Sequence, residues 1–250
     1  MRQPTVSMVM PTWNRAKYVP MAIRCFTQQI YPIAELIIVD DGTEILSLPA
    51  DGRIKYIKLD KRASTGVKRN IGAEAATSDI VASLDDDDWS SAHRIQDEVQ
   101  RLLKTGKAVT GYNRSVMFEE ATGKFFKTAG GPPYFASGSS QCYMRAWWDL
   151  HPFPDETMGE DTQFSRVARE ADELAIADPG RMLVVRRHAK NTYEMNLERQ
   201  PEVSRDTICP EFFLAEAGRA PTLEYMWQRK HECNPACLAD VARQFEEPVI

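Results

Sequence analysis

Four short runs rich in valine and isoleucine, Thr5 to Met10, Leu36 to Val39, Ile54 to Leu59 and Ile80 to Leu84, are bounded by turn residues and separated by helical patterns. Between Lys17 and Gln29 the apolar positions Val19, Ile23 and Phe26 recur at spacings of four and three, and Val67, Ile71 and Ala75 do the same between Thr65 and Ala76. Strands alternating with helices imply a largely parallel sheet. The sequence therefore predicts an α/β, Rossmann-like single domain with a mainly parallel central sheet flanked by helices. The first, second and fourth runs each end in a polar cluster: Pro11-Thr12-Trp13-Asn14-Arg15, Asp40-Asp41-Gly42-Thr43, and Asp85 to Asp88. Ligands bind at the carboxyl ends of the strands in such sheets, so three polar tips are expected along one edge.

The second half reads differently. Ile95, Val99 and Leu102 mark an amphipathic helix running to Lys104. Ala108 to Phe118 and Lys124 to Lys127 read as strands joined by the polar turn Glu119 to Gly123, which predicts a smaller, antiparallel portion. Gly130-Gly131-Pro132-Pro133 is a loop signal, and Ser137-Gly138-Ser139-Ser140 lets another group approach the backbone closely. Phe164, Val167, Ala168 and Ala171 define a further helix with Glu160 and Asp161 in its first turn, followed by short strands at Ala175 to Ala177 and Met182 to Val185. Helices are expected again around Pro210 to Ala217 and Thr222 to Lys230. The expected organisation is a domain over 1–192, with halves 1–105 and 106–192, and a helical C-terminal extension over 193–250.

At 250 residues the chain is long enough for one large domain with an appendage. Its 36 acidic against 31 basic residues leave a net charge of -5, which argues against a polyanion as the main partner. The local basic stretch of Arg181, Arg186, Arg187 and Lys190 keeps a nucleic-acid partner as a minor alternative. No basic leader precedes the first strand, and no apolar run approaches the roughly 20 residues that span a bilayer, so no transmembrane segment and a soluble, cytoplasmic chain are expected. The five scattered cysteines fit reduced thiols in that compartment. Cys209, His231, Cys233 and Cys237 match no common zinc spacing.

Four adjacent carboxylates beside an apolar strand repel one another unless water or a cation absorbs the field. One resolution is a solvated turn or helix start, with Asp88 capping the segment that begins at Trp89, Ser90 and Ser91. The other is a divalent ion held by oxygen ligands and shared with substrate phosphates, which suits magnesium or manganese. A calcium EF-hand is ruled out, since Ser90 and Gln96 stand where Gly and Glu are required. Walker and dinucleotide glycine motifs are absent. With neighbouring strands ending in Asp40-Asp41 and Thr12-Trp13-Asn14, a planar base would stack near Trp13 and bond to Asp41; taken singly, Trp13 also reads as core and Asp-Asp-Gly as a turn.

Val6 to Arg15, Ile37 to Thr43, Gly66 to Gly72, Leu84 to Trp89 and Gly159-Glu160-Asp161 together resemble the ordered motif series of family 2 glycosyltransferases with the GT-A fold. The resemblance implies a metal-dependent transfer of sugar from a nucleoside-diphosphate donor, a UDP-sugar above all, to a hydroxyl acceptor such as a glycan or small glycoside. It places Pro11, Thr12, Trp13 and Asp41 at the nucleoside, Lys68 and Arg69 near the diphosphate, Asp85 and the variable Asp86 at the nucleotide, and Asp87 on Mn2+ or Mg2+. His188 matches a histidine that completes the metal or diphosphate site in some members, and it also reads as structural. Asp161 matches the catalytic base, and with one base and no second nucleophilic carboxylate the reaction is expected to invert by single displacement. Trp147, Trp148 and His151 stand as acceptor-side candidates or as core. A sugar nucleotidyltransferase, disfavoured because Pro11 to Arg15 contains no glycine, and a non-catalytic nucleotide-sugar binder are the alternatives.

Overall fold

A computed structural model describes residues 2–128, 130–191, 197, 200–208 and 212. The nucleotide half contains β1 (Val6–Thr12), α1 (Val19–Thr27), β2 (Ile33–Asp40), β3 (Ile54–Lys58), α2 (Thr65–Ala75), β4 (Ile80–Ser83), β5 (Trp89–Ser90) and α3 (Arg94–Thr105). Then follow β6 (Val109–Tyr112), β7 (Val116–Glu119), β8 (Lys124–Lys127), β9 (Cys142–Met144), α4 (Arg145–Leu150), α5 (Glu160–Glu170), β10 (Leu174–Ala177), β11 (Leu183–Arg187) and β12 (Glu202–Val203).

Seven strands form the central sheet in the order β10-β6-β9-β4-β1-β2-β3. β1 pairs in parallel with both β2 and β4, β2 with β3, and β6 with β10, whereas β9 runs against both β4 and β6. The sheet is mainly parallel, as the strand–helix alternation predicts. Every residue of β1 is buried, and its side chains alternate between faces. Met8 and Met10 join Phe26 and Val99 on one face; Val9 joins Ala73 and Phe164 on the other. Each such aliphatic side chain stabilises the fold by about 1.5–3 kcal/mol through removal from water.

Helix α2 shows how local sequence sets up the site. Ser64 caps it, its Oγ accepting from Val67 N–H at 3.1 Å. At Gly72 a Cβ would stand 2.2 Å from Val9 Cγ1, so only glycine lets the helix lie directly on β1. Lys68 and Arg69, one turn earlier, are thereby carried to the carboxyl end of the strand.

A second, five-stranded sheet has the order β12-β8-β7-β11-β5, with only the β7–β11 pairing parallel. It is the smaller antiparallel portion. The span read as one strand from Ala108 to Phe118 is broken at 113–115: β6 belongs to the central sheet and β7 to the second. The chain has to leave one sheet for the other, and alternation within each half does not reveal the break. Asp88 is not a helix cap. Trp89 and Ser90 pair with β11, α3 begins only at Arg94 behind His93, and Asp88 is buried with Oδ1 accepting from Arg186 N–H at 2.9 Å.

Trp147 and Trp148 lie on α4, against the central sheet. Trp148 Nε1 donates to Asn70 Oδ1 at 2.8 Å, and Trp147 stacks on His151 with ring centroids 3.9 Å apart. They are packing residues, correcting the acceptor-side reading. The helices expected around Pro210 to Ala217 and Thr222 to Lys230, and the Cys209, His231, Cys233 and Cys237 group, lie outside the described residues except for Phe212. That ring is buried edge-on against Trp89, Phe118 and Phe125. Cys25 and Cys142 are buried free thiols. Among the described residues no helix is long and apolar enough to cross a membrane.

Candidate active site

A cavity of about 940 Å3 opens at the carboxyl ends of β1 and β4 and extends towards the second sheet. Its wall includes Pro11, Thr12 and Trp13 from the end of β1, Lys68 and Arg69 from α2, the four consecutive aspartates, and Asp161 from α5. Asp41 and His188 stand behind the wall, each bonded to a residue that forms it. Pro11 and Thr12 lie within β1 itself, because the strand runs two residues beyond the apolar run.

At one end Trp13 is 44% exposed, with the Arg62 guanidinium 4.1 Å over its ring. Arg62 Nη1 donates to both oxygens of Asp41 at 2.8 and 2.7 Å, and Asp41 also accepts from Ala63 N–H at 2.8 Å and Lys68 Nζ at 3.0 Å. Burial pushes the Asp41 carboxyl upward, but these bonds outweigh it and hold it below the usual carboxylate range. Lys68 Nζ donates in addition to the Thr12 carbonyl at 3.0 Å, which makes Lys68 a brace between two strand tips. Its burial lowers its own pKa against the pull of Asp41.

Arg69 lies deeper. Its Nη2 donates to Asp85 Oδ1 at 3.1 Å and its Nε to Glu160 Oε1 at 3.3 Å, while Nη1 is buried without a hydrogen-bond partner. A buried unpaired N–H is costly, and a phosphate oxygen is the kind of acceptor that satisfies it. Of the two basic residues that the sequence leaves open, Arg69 is thus the one with unspent donor capacity.

Arg15 governs the centre of the aspartate run. Its Nη1 donates to Asp86 Oδ1 at 2.9 Å and to Asp87 Oδ2 at 2.7 Å, and its Nη2 to the Lys190 carbonyl at 2.9 Å. Removal from water, followed by the neighbouring charge of Asp87, raises the Asp86 carboxyl to about 7 against the pull of Arg15. Asp87 Oδ2 also meets His188 Nε2 at 2.9 Å and Asn191 Nδ2 at 3.4 Å. Because His188 Nδ1 accepts from Lys190 N–H at 3.1 Å, the ring proton sits on Nε2, which donates to Asp87. A carboxylate and an imidazole, Asp87 and His188, are donors of a kind that a magnesium- or manganese-type ion accepts. Among the described residues, however, no three His, Cys, Asp or Glu side chains are gathered as an ion-binding cluster. Phosphate oxygens and water would have to complete a coordination shell.

Asp161 follows Gly159, whose φ of 85° starts α5. Its Oδ2 accepts from Gly138 N–H at 2.9 Å and its Oδ1 from Thr162 N–H at 2.7 Å. A Cβ at Gly138 would stand 2.9 Å from Arg69 Nη2 and 3.0 Å from Asp161 Oδ2, so the small-residue stretch is what admits both side chains. Gln141 Nε2 donates to the Asp161 carbonyl at 2.8 Å and ties α5 to the start of β9.

Residues 7–153 match the sequence profile of glycosyl transferase family 2. The chain belongs to this family. An uncharacterized glycosyltransferase of Haemophilus influenzae is 29% identical over 120 residues, 45% of this chain and 48% of that relative. The putative teichuronic acid biosynthesis glycosyltransferase TuaG of Bacillus subtilis is 29% identical over 127 residues, 48% of this chain and 50% of its own length. The chain thus spans about half the length of these family 2 relatives. Among solved structures, S. aureus TarS in complex with UDP-GlcNAc superposes with a TM-score of 0.59 at 18% identity, over 75% of this chain and 60% of that one. The mannosyltransferase PcManGT from Pyrobaculum calidifontis, in complex with GDP-Man and Mn2+, gives 0.56 at 17% identity, over 73% and 57%. The family 2 chain has their GT-A architecture.

Several residues of this family 2 site carry no signal strong enough to single them out in sequence. Arg15 sits inside the first motif, but nothing in its spacing says that it reaches 71 and 72 positions along the chain to Asp86 and Asp87. Arg62 lies in a polar loop, and Asn191 just beyond β11. Glu160 is adjacent to Asp161 yet turns inward to Arg69, where burial raises its pKa against the pull of that arginine.

Proposed function

We propose that the chain transfers a sugar from a nucleoside diphosphate, a UDP-sugar in particular, to an acceptor hydroxyl, with Asp161 as general base and a divalent ion at Asp87. The observation that carries this reading is the shared wall of one cavity: Trp13, the aspartate run and Asp161 line it in common, and Arg69 reaches both Asp85 and Glu160, the residue preceding Asp161. The nucleotide sugars in the TarS and PcManGT structures and the Mn2+ in the latter support the donor class and the ion.

In this reading Trp13 and Asp41 receive the nucleoside, and Asp85 with the unpartnered Nη1 of Arg69 receives the ribose and diphosphate. Asp87 would hold Mn2+ or Mg2+, assisted by His188; the ion, when bound, supplies Lewis-acid stabilisation of the leaving diphosphate. Asp161 accepts the acceptor hydroxyl proton as that oxygen bonds to the anomeric carbon and the bond from that carbon to the diphosphate breaks. Glu160 is engaged by Arg69, which supports a reading with one base and a single displacement with inversion. The acceptor would enter past Gly138, towards the second sheet.

A screen of nucleoside diphosphates and their sugars by thermal unfolding tests the reading. Stabilisation by a UDP-sugar that requires Mn2+ or Mg2+, and that is lost in Asp87→Ala, is expected. Equal stabilisation of Asp87→Ala would remove the ion from Asp87.

A further inference from the structure

We infer that the acceptor is an acidic glycan, an oligomer bearing carboxylate or phosphodiester groups, held by Arg114 and Arg187 along the second-sheet wall of the cavity. The inference rests on the proposed function and names the acceptor class for the same site.

The wall divides by charge. Among the described residues its carboxylates are Asp85 to Asp88, Glu160 and Asp161, all gathered around the donor end and the proposed base. Past Gly138 the wall passes to the second sheet, where Ser115 ahead of β7, Met117 on β7, and Val185 and Arg187 on β11 line it. Met117 and Val185 are register partners and Arg187 stands two residues beyond Val185, so all three share one face of the sheet. Arg186, between them, spends its guanidinium over the Tyr18 and Phe118 rings, 5.5 and 5.3 Å from their centroids, and its Nε donates to the Asp87 carbonyl at 3.2 Å. Arg114 stands at the other end of this platform, in the crossing from β6 to β7. Arg187 is the register partner of Glu119, five residues along from Arg114, so the two backbones stand roughly 15 Å apart along the strand direction. That span is longer than a single sugar ring.

Both arginines have donors to offer. The Arg114 side chain is 46% exposed, and its ion pair with the half-exposed Asp178 spans 3.7 Å, longer than a hydrogen bond and screened by solvent. Its place is built by Gly130, whose φ of 89° lets the loop pass against it: a Cβ there would stand 2.9 Å from Arg114 Nε and 3.1 Å from its Cγ. Arg187 Nη1 donates to Glu119 Oε1, and a guanidinium carries five N–H donors, more than one carboxylate oxygen engages. Neither Asp178 nor Glu119 lines the cavity, so the positive member of each pair is the one that faces a ligand. Guanidinium groups recognise carboxylates and phosphates in bidentate fashion. Two of them set apart along one wall, with no carboxylate beside them on it, select a chain that repeats its negative charge.

Titration of the full chain, loaded with UDP and Mg2+ and followed by nuclear magnetic resonance, tests this with three trimers: trigalacturonate, tri(glycerol phosphate) and the neutral maltotriose. UDP fills the donor end, so an acidic trimer cannot merely replace the diphosphate. At least one acidic trimer should bind wild type about 10-fold or more tighter than maltotriose does. Arg114→Gln and Arg187→Gln should each lose about 3-fold of that preference and the double variant nearly all of it, with maltotriose unaffected. Added salt should weaken the acidic trimers alone. The tighter of the two identifies the group as carboxylate or phosphodiester. Arg114→Gln, which alters a half-exposed side chain, serves as the readout if the double variant unfolds. Equal affinity for all three trimers, no binding of either acidic one, or a preference that survives in the variants overturns the inference and leaves the proposed function standing. An adenylate trimer bound more tightly than both acidic trimers overturns it in favour of nucleic acid. Wild type that takes up no UDP with Mg2+ overturns the proposed function and this inference with it.

Discussion

Arg94 Nη1 and Glu98 Oε1 lie 3.7 Å apart on one face of α3, with both side chains completely removed from solvent. Arg94 spends its donors elsewhere, on the Ser83 carbonyl at 2.8 Å and the Ser139 carbonyl at 2.5 Å, and so ties the end of β4 to the loop that bonds Asp161. Glu98 is left without a hydrogen bond, and burial raises it from 4.5 to about 8, only partly opposed by Arg94.

This sets a pH dependence. Below about 4.5 native and unfolded chains both hold the Glu98 proton; between there and about 8 the unfolded chain sheds it first, so this contribution to stability falls as pH rises through that window. Glu98→Gln should make the slope shallower, leaving the share of Asp86 and Glu160, and melt roughly 5 °C above wild type at pH 8, with little difference at pH 4.5. Thermal unfolding across pH checks it, and parallel curves for the two proteins would reject it. Arg94→Ala, which strands the partner carbonyls, should cost about 3–5 kcal/mol.

Asp161→Asn keeps the size of the side chain and an oxygen for the Gly138 N–H. Donor binding by calorimetry should stay within about 3-fold, while kcat for transfer should fall by about 10^2–10^4, the range of a lost general base. Unchanged turnover would remove Asp161 from the chemistry.

Gly138→Ala tests the crowding between Arg69 and Asp161. The added methyl meets both side chains at about 3 Å, so kcat should drop at least about 10-fold while the melting temperature moves by only a few degrees. A variant as active as wild type would show that neither side chain needs its described position.

Gly72→Ala addresses the fold instead. Its methyl would press on Val9 Cγ1 and force α2 off β1, at a cost of about 1–3 kcal/mol. Denaturant unfolding measures it, and a loss below about 0.5 kcal/mol would mean that the helix has room to shift.

The parallel half of the fold is legible because β1, β2 and β4 are buried almost throughout on both faces and its helices carry a clear apolar stripe, from Val19 to Phe26 and from Ile95 to Leu102. The break at 113–115 and the pairing of Trp89–Ser90 are not, since both depend on which sheet a short strand joins, a long-range choice that period-2 alternation cannot encode. For the site, the aspartate run announces itself by repulsion that demands a partner. In the described structure Asp85 meets Arg69 and Asp88 meets Arg186 N–H, while Asp86 and Asp87 meet Arg15, an arginine within a polar tip that looks like any solvated loop residue. Trp147 and Trp148 mislead in the opposite sense: their large aromatic faces suit sugars, but the sheet claims them.

The five residues between Ser83 and Trp89 belong at one end to the central sheet and at the other to the second. A chain anchored at both ends has no slack. Inserting or deleting one residue among the aspartates would have to slide a whole sheet, whereas the hairpin turn over 120–123 can lengthen into solvent. Variation in length among functional descendants of this chain should therefore collect at that hairpin and spare the aspartate segment.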